Sequence, residues 1–500
     1  MPERTPITAA MLYDLVQCPH RVTMDLYGDA SERVPVNEFV RLLWEKGTLF
    51  EHEVMAALEL PYLDLSAHEP AEKARLTLDA MARGEALIYQ GRIAADDLLG
   101  EPDLLRREHG GYAPIDIKSG AGEEGADDSR RAKRHYAVQL ALYVDVLERI
   151  GHGAGRRAYV WDVHGDEVVY DLGVRKGPRD ESTLWDDYQA TLAVARAIVA
   201  DRGGTLPAYA GVCKLCPWYA VCLDTMRKAG DLTLIPELGR AARDVMLGEV
   251  ATIRALAERE PDELVRGKKT VFPRISPERL RKFHARAALQ CAGGEPYLRA
   301  PVEFPDFERE LFFDIESDPF RDLCYLHGFI ERRNRDNATE LFVAFFAEEA
   351  NADCERRAFA EAIAYMQAAE PCAIYYFSKY ERTVYRRLRE KYPGVIGEAE
   401  LEALFDPKRS VDLYYDVVLK STEWPTRDFS IKTLARYLGF TWRDQSPSGA
   451  ASIEWFHRWV ETFDPAVRQR ILDYNEDDCR ATRVLRDAIE TLPLRANSQE

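Results

Sequence analysis

The sequence predicts a mixed α/β protein of more than one domain, on three observations. Residues up to about Leu223 alternate strand-like and helix-like periodicity, the stretch from about Leu232 to Leu298 is mostly helical, and a second mixed pattern runs from about Glu310 onward. A chain of 500 residues with 46% hydrophobic content can bury two or three ordinary cores. The patterns divide it at 1–228, 229–300 and 308–493. The last boundary falls in EPYLRAPVEFPDFE, whose three prolines mark an extended connector. Neither a solenoid-length repeat nor a long low-complexity stretch interrupts this division.

The first residues, MPERTPITAA, lack the apolar core of a signal peptide, and no run of about eighteen apolar residues occurs. A soluble, cytoplasmic protein with no membrane association is expected. Its net charge of -18 argues against holding nucleic acid through overall charge, but leaves locally basic surfaces available. In a reducing compartment, nine cysteines read as metal or cluster ligands before disulfides. Three of them, Cys213, Cys216 and Cys222, crowd into GVCKLCPWYAVC.

In the first unit, EALIYQGRI, LLGEPDLLRRE and YAPIDIKSG read as strands, the last two joined by a turn at Gly110 and Gly111. They predict an antiparallel start to a mixed sheet. Asp116 and Lys118 are two apart on the third strand and share a face, where Asp103 of the neighbouring strand can join them. Carboxylates are the hard oxygen ligands that Mg2+ or Mn2+ prefers, and a lysine beside them can offset charge developing on phosphate. That combination suits phosphodiester hydrolysis. Gln139 and Tyr143, four apart in YAVQLALYVDVL, share one helical face, and His52 lies on the earlier helix in KGTLFEHEVMAAL.

The order His52, Asp103, Asp116-x-Lys118, Gln139-x3-Tyr143 resembles the RecB-type nucleases of the PD-(D/E)xK superfamily, over roughly the first 225 residues. The resemblance implies a restriction-endonuclease-like core, with His52, Asp103 and Asp116 as metal ligands and Lys118 as the catalytic lysine. Gln139 and Tyr143 would support the site or the bound strand. One branch of these nucleases, including AddB and CRISPR-associated exonucleases, pairs a cysteine before the core with C-x2-C-x5-C after it to hold a [4Fe-4S] cluster. Here Cys18 stands in LVQCPH, and Cys213, Cys216 and Cys222 follow the core. Four thiolates suit an iron-sulfur cluster or structural zinc, and spacing alone does not separate them. His20, close to Cys18, is a rival ligand.

The middle segment reads as short helices joined near Gly248, like a degenerate helix-hairpin-helix in which only Gly239 of the glycine-rich turn survives. In the last unit, LFFDIESDPF places Asp314 and Glu316 on one face of a strand. Two further strand-like segments and a helix follow, and CAIYYFSKYE then sets Glu381 just past a strand end. A closing helix, capped by Asp464 and opened by Pro465, carries Tyr474 and Asp478 on one face. D-x-E and Y-x3-D resemble the motifs of DEDD exonucleases with a ribonuclease H-like fold, particularly the YprB-like group, over roughly residues 308–490. The resemblance implies Asp314, Glu316 and Asp478 as metal ligands and Tyr474 as the residue orienting the attacking water. At the second motif, where the family usually has aspartate, this chain offers Glu381, with Asp412 and Asp477 as alternatives.

Two basic runs lie beside the expected sites: Arg130, Arg131, Lys133 and Arg134 near the first, and Lys379, Arg382, Arg386, Arg387 and Arg389 near the second. The expectation is a metal-dependent DNA nuclease of a DNA-repair type, acting on single strands or DNA ends. RNA or a hybrid would be a further substrate for the C-terminal domain, and a helicase a partner. The alternative is a nucleic-acid-binding scaffold in which one domain, the C-terminal in particular, is inactive and positions a partner nuclease or helicase.

Overall fold

The computed structural model describes residues 5–36, 38–125, 130–177, 180–201, 204–445 and 447–495. The chain forms two compact units, Met1–Thr225 and Met226–Glu500, both mixed α/β.

The first unit is built on a six-stranded sheet. Its strands, β1 (Leu63–Asp64), β2 (Leu87–Tyr89), β3 (Leu104–Glu108), β4 (Gly111–Ile117), β5 (Arg157–Trp161) and β6 (Glu167–Asp171), lie side by side in chain order. β2, β3 and β4 form the expected antiparallel meander, and β5 pairs parallel to β4. Three helices precede the sheet, α1 (Ala9–Gln17), α2 (Pro19–Tyr27) and α3 (Glu38–Ala57), while α4 (Arg134–Arg149) and α5 (Leu184–Ala200) follow β4 and β6. α4 is buried nearly all round, from Ala137 to Leu147, and packs against α1 and α5, which makes it the axis of this core. Its Tyr143 ring lies where a side chain at Gly100 would stand, within 2.5 Å of the missing Cβ, so glycine there lets the helix close on the sheet.

The second unit carries a five-stranded sheet in the order β9-β8-β7-β10-β11, with β7 Arg309–Asp318, β8 Leu323–Arg333, β9 Asp336–Phe346, β10 Cys372–Tyr376 and β11 Ser410–Asp412. β7, β8 and β9 are antiparallel neighbours, and β10 and β11 continue parallel to β7. The helices that concern the site are α6 (Pro277–Ala292), α7 (Ala352–Ala368), α8 (Lys379–Lys391), α9 (Ile431–Tyr437), α10 (Gly449–Thr462) and α11 (Pro465–Thr491). Asp464 caps α11 by accepting the Ala466 N–H at 2.9 Å, with Pro465 in the first turn.

The middle segment belongs to this second unit. It has a small core of its own around Leu232, Met246, Leu256, Phe272 and Phe283. It is joined to the sheet-bearing part by Arg286 of α6, which is fully buried and donates to Glu423 at 2.8 Å and to the Pro236 carbonyl. Arg299 reaches the other oxygen of Glu423 at 3.1 Å. A buried charge left without its partner is the costly state, so Glu423→Ala should destabilise the second unit by about 3–5 kcal/mol. Urea unfolding of the variant against wild type measures it, and the first unit's transition should not move.

Candidate functional site

In the first unit, Asp103 stands just before β3 and its Oδ2 accepts the Ile117 N–H at 2.7 Å, which holds it against the end of β4. There Asp116 is 2% exposed, and Lys118 Nζ pairs with its Oδ2 at 2.8 Å. Burial, then the charge of Asp116, push the Asp103 carboxyl well above the usual range. Burial works against the Lys118 ammonium, but Asp116 and Asp103 outweigh it and raise its affinity for the proton. The lysine therefore stays cationic. Tyr143 is buried over the same pair, its phenol raised by burial and then by Asp116 and Asp103, and its hydroxyl faces the Glu101 carbonyl at 3.4 Å. The buried Gln139 Oε1 on the same helix makes no hydrogen bond.

His52 departs from expectation. It is exposed, whereas Glu51, one residue earlier on α3, turns toward the acids. Its Oε1 accepts from the Tyr89 hydroxyl at 2.9 Å and the Gln90 amide at 2.5 Å, and its charge adds to the upward push on Asp103. One helical residue is a rotation of about 100°, enough to exchange an inward for an outward side chain. Asp103 and Asp116, with the Glu51 carboxylate near enough for its charge to act on Asp103, supply hard oxygens of the kind that Mg2+ or Mn2+ takes.

In the second unit, Asp314 and Glu316 of β7 and Asp478 of α11 come together, with ligand oxygens all within 4.8 Å of one another. Packing of α11 on the sheet brings this about. Asp314 pairs across β7 and β8 with Gly328, and a Cβ at Gly328 would lie 1.6 Å from Asn475 Oδ1. With no side chain there, Asn475 crosses β8 and donates to Asp314 Oδ2 at 2.8 Å. Trp442 Nε1 donates to Asp478 Oδ1 at 2.7 Å, and Lys432 Nζ lies 3.4 Å from Asp478 Oδ2 and 2.7 Å from the Tyr474 hydroxyl. Tyr474 is buried beside Asp478, as the four-residue spacing requires. Burial, then Asp478, raise Asp314 well above the carboxylate range and Glu316 to about 8. Three close carboxylates, of which Asp314 and Glu316 resist ionisation, fit a divalent cation, which supplies the missing positive charge.

Glu381 stands in the first turn of α8, 4% exposed, accepting from Ser378 Oγ at 3.2 Å, and burial raises it to about 8. It lies outside the three-acid group, although its charge reaches Asp314. Ser378 adopts φ 138°, ψ 172°, a conformation native to glycine and costing of order 1–3 kcal/mol, which marks this strand end as constrained. Asp412 caps two amides, those of Tyr414 and Tyr415, through Oδ1, and its buried Oδ2 makes no hydrogen bond. Asp477 is bound to Arg443 through both the backbone N–H at 2.8 Å and Nε at 3.0 Å, which turns it away from the cluster.

The second basic run is engaged inside the protein. Arg382 and Arg386 both bind Glu402, Arg387 pairs with Asp322 at 3.4 Å and Arg389 with Glu398 at 3.8 Å. Lys379 instead lies over the Tyr415 ring at 4.4 Å, beside Asp412. In the first run, Arg131 pairs with Glu124 at 3.0 Å, and Lys133 donates to the Ala121 carbonyl at 2.7 Å. These exposed pairs are weak enough to yield to phosphate, so the runs remain usable but are not waiting cationic tracks.

Cys18, at the junction of α1 and α2, lines one cavity with Cys213, Cys216 and Cys222. Burial raises the Cys222 thiol to about 12, and the proximity of Cys216, Cys18 and Cys213 adds to it. His20 also lines this cavity, with its Nδ1 hydrogen-bonded to Thr205 Oγ1 at 3.0 Å. Four cysteines on one cavity are the ligand type that a soft-metal or iron-sulfur centre takes.

Sequence reasoning missed Glu51, Lys432, Trp442 and Asn475. Only Asn475 carried a local signal, standing beside Tyr474 in DYNEDD. Residues 18–223 match the family model of the PD-(D/E)XK nuclease superfamily, and residues 311–490 match that of the RNase H superfamily. No curated protein matches the chain closely enough to count as a relative. The chain thus carries two nuclease-superfamily domains, which imply nucleic-acid binding. Among the described residues no helix is long and apolar enough to cross a membrane.

Because Glu316 keeps its proton to about pH 8, a divalent cation must displace protons to enter the three-acid group. The metal-free fold retains protons that the unfolded chain has lost, so its stability should fall as pH rises from the ordinary carboxylate range to about 8. Saturating Mn2+ should cancel that fall, and Mn2+ affinity should rise across the same window. Calorimetric titration in buffers of different ionisation enthalpy reads the released protons directly.

Proposed function

We propose that the chain is a metal-dependent nuclease that hydrolyses phosphodiesters in single-stranded DNA or at DNA ends, with a catalytic centre in each superfamily domain. The observation that carries this reading is that each domain has largely buried carboxylates at its motif positions with a lysine beside them, Lys118 from the motif itself and Lys432 from outside it. A bound divalent ion would polarise the phosphate and lower the pKa of a water. In the first domain, Asp103 and Asp116, with Glu51 as third acid, hold the cation, and Lys118 stays protonated to balance charge gained by the phosphate in the transition state. Gln139 and Tyr143 support that arrangement. In the second, Asp314, Glu316 and Asp478 hold the cation, Tyr474 orients the attacking water, and Glu381, just past the end of the parallel neighbour β10, adds its charge near Asp314.

The test offers purified protein with Mg2+ or Mn2+ single-stranded, duplex, RNA and hybrid substrates labelled at either end. Lys118→Ala should lower one activity by about 10²-fold or more and Asp314→Ala another, each leaving the other intact. If no substrate is cut with either metal, the protein is a nucleic-acid-binding scaffold that positions a partner nuclease or helicase. If only the Asp314-dependent activity is missing, the scaffold role belongs to the C-terminal domain.

The four cysteines are proposed to hold a [4Fe-4S] cluster, with zinc as the alternative, joining the residues before the nuclease core to those after it. Anaerobically purified protein should carry about four irons per chain and absorb broadly near 400 nm. Colourless protein with stoichiometric zinc decides for the alternative. Cys216→Ala should lower the melting transition of the first unit as well as its metal content, because the centre closes the long loop from Cys18 to Cys213.

A further inference from the structure

Lys432 is the second-site residue that no motif announced. It stands in the first turn of α9, after the cap Ser430, whose side chain accepts the Thr433 N–H. A cation at a helix N-terminus opposes the helix dipole, so this position is unfavourable unless something beyond the helix holds the charge. The acids do. Lys432 Nζ donates to the Tyr474 hydroxyl oxygen at 2.7 Å and lies 3.4 Å from Asp478 Oδ2, and its charge also reaches Asp314 and Glu316. Trp442 takes the other oxygen of Asp478 at 2.7 Å, so the carboxylate is gripped from both sides. The Lys432 side chain is 26% exposed.

We propose that Lys432 is the positioning residue and fixed counter-cation of the second site: it accepts no proton from the reaction, but sets the direction of the Tyr474 hydroxyl and the pose of Asp478. The proposal rests on the reading of that site as hydrolytic. Since the phenol oxygen already accepts a hydrogen bond from Lys432, its own O–H must donate elsewhere. Of the charges that act on this phenol, that of Asp478 is the largest. With a divalent cation held by Asp478, that O–H would be free to orient an attacking water. The ammonium also offsets one negative charge of a cluster that holds three carboxylates, so a divalent ion entering there competes with it.

This predicts opposite effects on binding and turnover. In an Asp116→Asn background, which isolates the second site, Lys432→Met should tighten Mn2+ binding about three- to tenfold, read from the free-ion resonance, because a competing charge is gone. The same change should lower Asp314-dependent cleavage by about 10- to 100-fold, because Tyr474 and Asp478 lose their orientation. Lys432→Arg, which keeps charge and donors, should return both values to within about twofold of wild type. A merely structural lysine would weaken binding and cleavage together and lower the melting transition; that result, or unchanged cleavage in active protein, overturns the proposal. If wild type shows no Asp314-dependent cleavage at all, the hydrolytic reading falls by itself. The Mn2+ titration then still decides the counter-cation, which tightening on Lys432→Met supports and unchanged or weaker binding refutes.

Discussion

Carboxylates pressed together out of water repel one another more strongly than any one packing contact can offset, and both units are organised around that repulsion. At a few ångströms in a partly buried setting, each like-charge contact is worth several kcal/mol, so the group remains together only with protons, an ammonium or a metal ion among its members. Lys118 stands 2.8 Å from Asp116 in the first group, and Lys432 stands 3.4 Å from Asp478 in the second. The surrounding fold keeps these groups from moving apart.

In the second unit that restraint comes from α11. A single helix supplies Tyr474, Asn475 and Asp478, and it lies close to the sheet because Gly328 offers no side chain beneath Asn475. Much of the helix's inward face is buried, including Ile471, Cys479, Leu485 and Ile489, and burying each large aliphatic chain contributes about 1.5–3 kcal/mol. Farther along, Arg486 sits beside Glu310 and Arg332 pairs with Glu310 and Asp487, a buried charge network that sets helix against strand. The acids thus stand where apolar packing at other points along the same elements places them.

The first unit reaches the same end by different means. α4 is enclosed on all sides, and Tyr143 reaches the acids because Gly100 yields space to its ring. Asp103 is held by a backbone N–H rather than by a side chain, so its place follows from the strand pairing itself. The cysteine cavity depends on the segments before and after the core rather than on the sheet: Trp218 donates to Asp25 at 2.8 Å and packs against Gly28, which brings the segment after the core onto α2.

The sequence by itself determined the mixed α/β class, the meander of the first sheet, the strand that carries Asp314 and Glu316, and the shared helical face of Tyr474 and Asp478. Each of these follows from a period of two or 3.6 over neighbouring residues, and such periods are written locally. It also carried the expectation, through a resemblance of motif order, that Cys18 and the later cysteines lie together, and they line one cavity. Tertiary structure alone decided the rest. Whether Glu51 or His52 faces the acids depends on how α3 is rotated against β2, a matter of packing that both residues leave open. Lys432 and Trp442 come to Asp478 from segments more than thirty residues away, and a lone lysine in an amphipathic stretch reads like any solvated one. The arginines of α8 read as a phosphate track until Glu402 and Asp322 fold onto them. Local periodicity decides which way a side chain points from its own element; what it meets there depends on the packing of every other element around it.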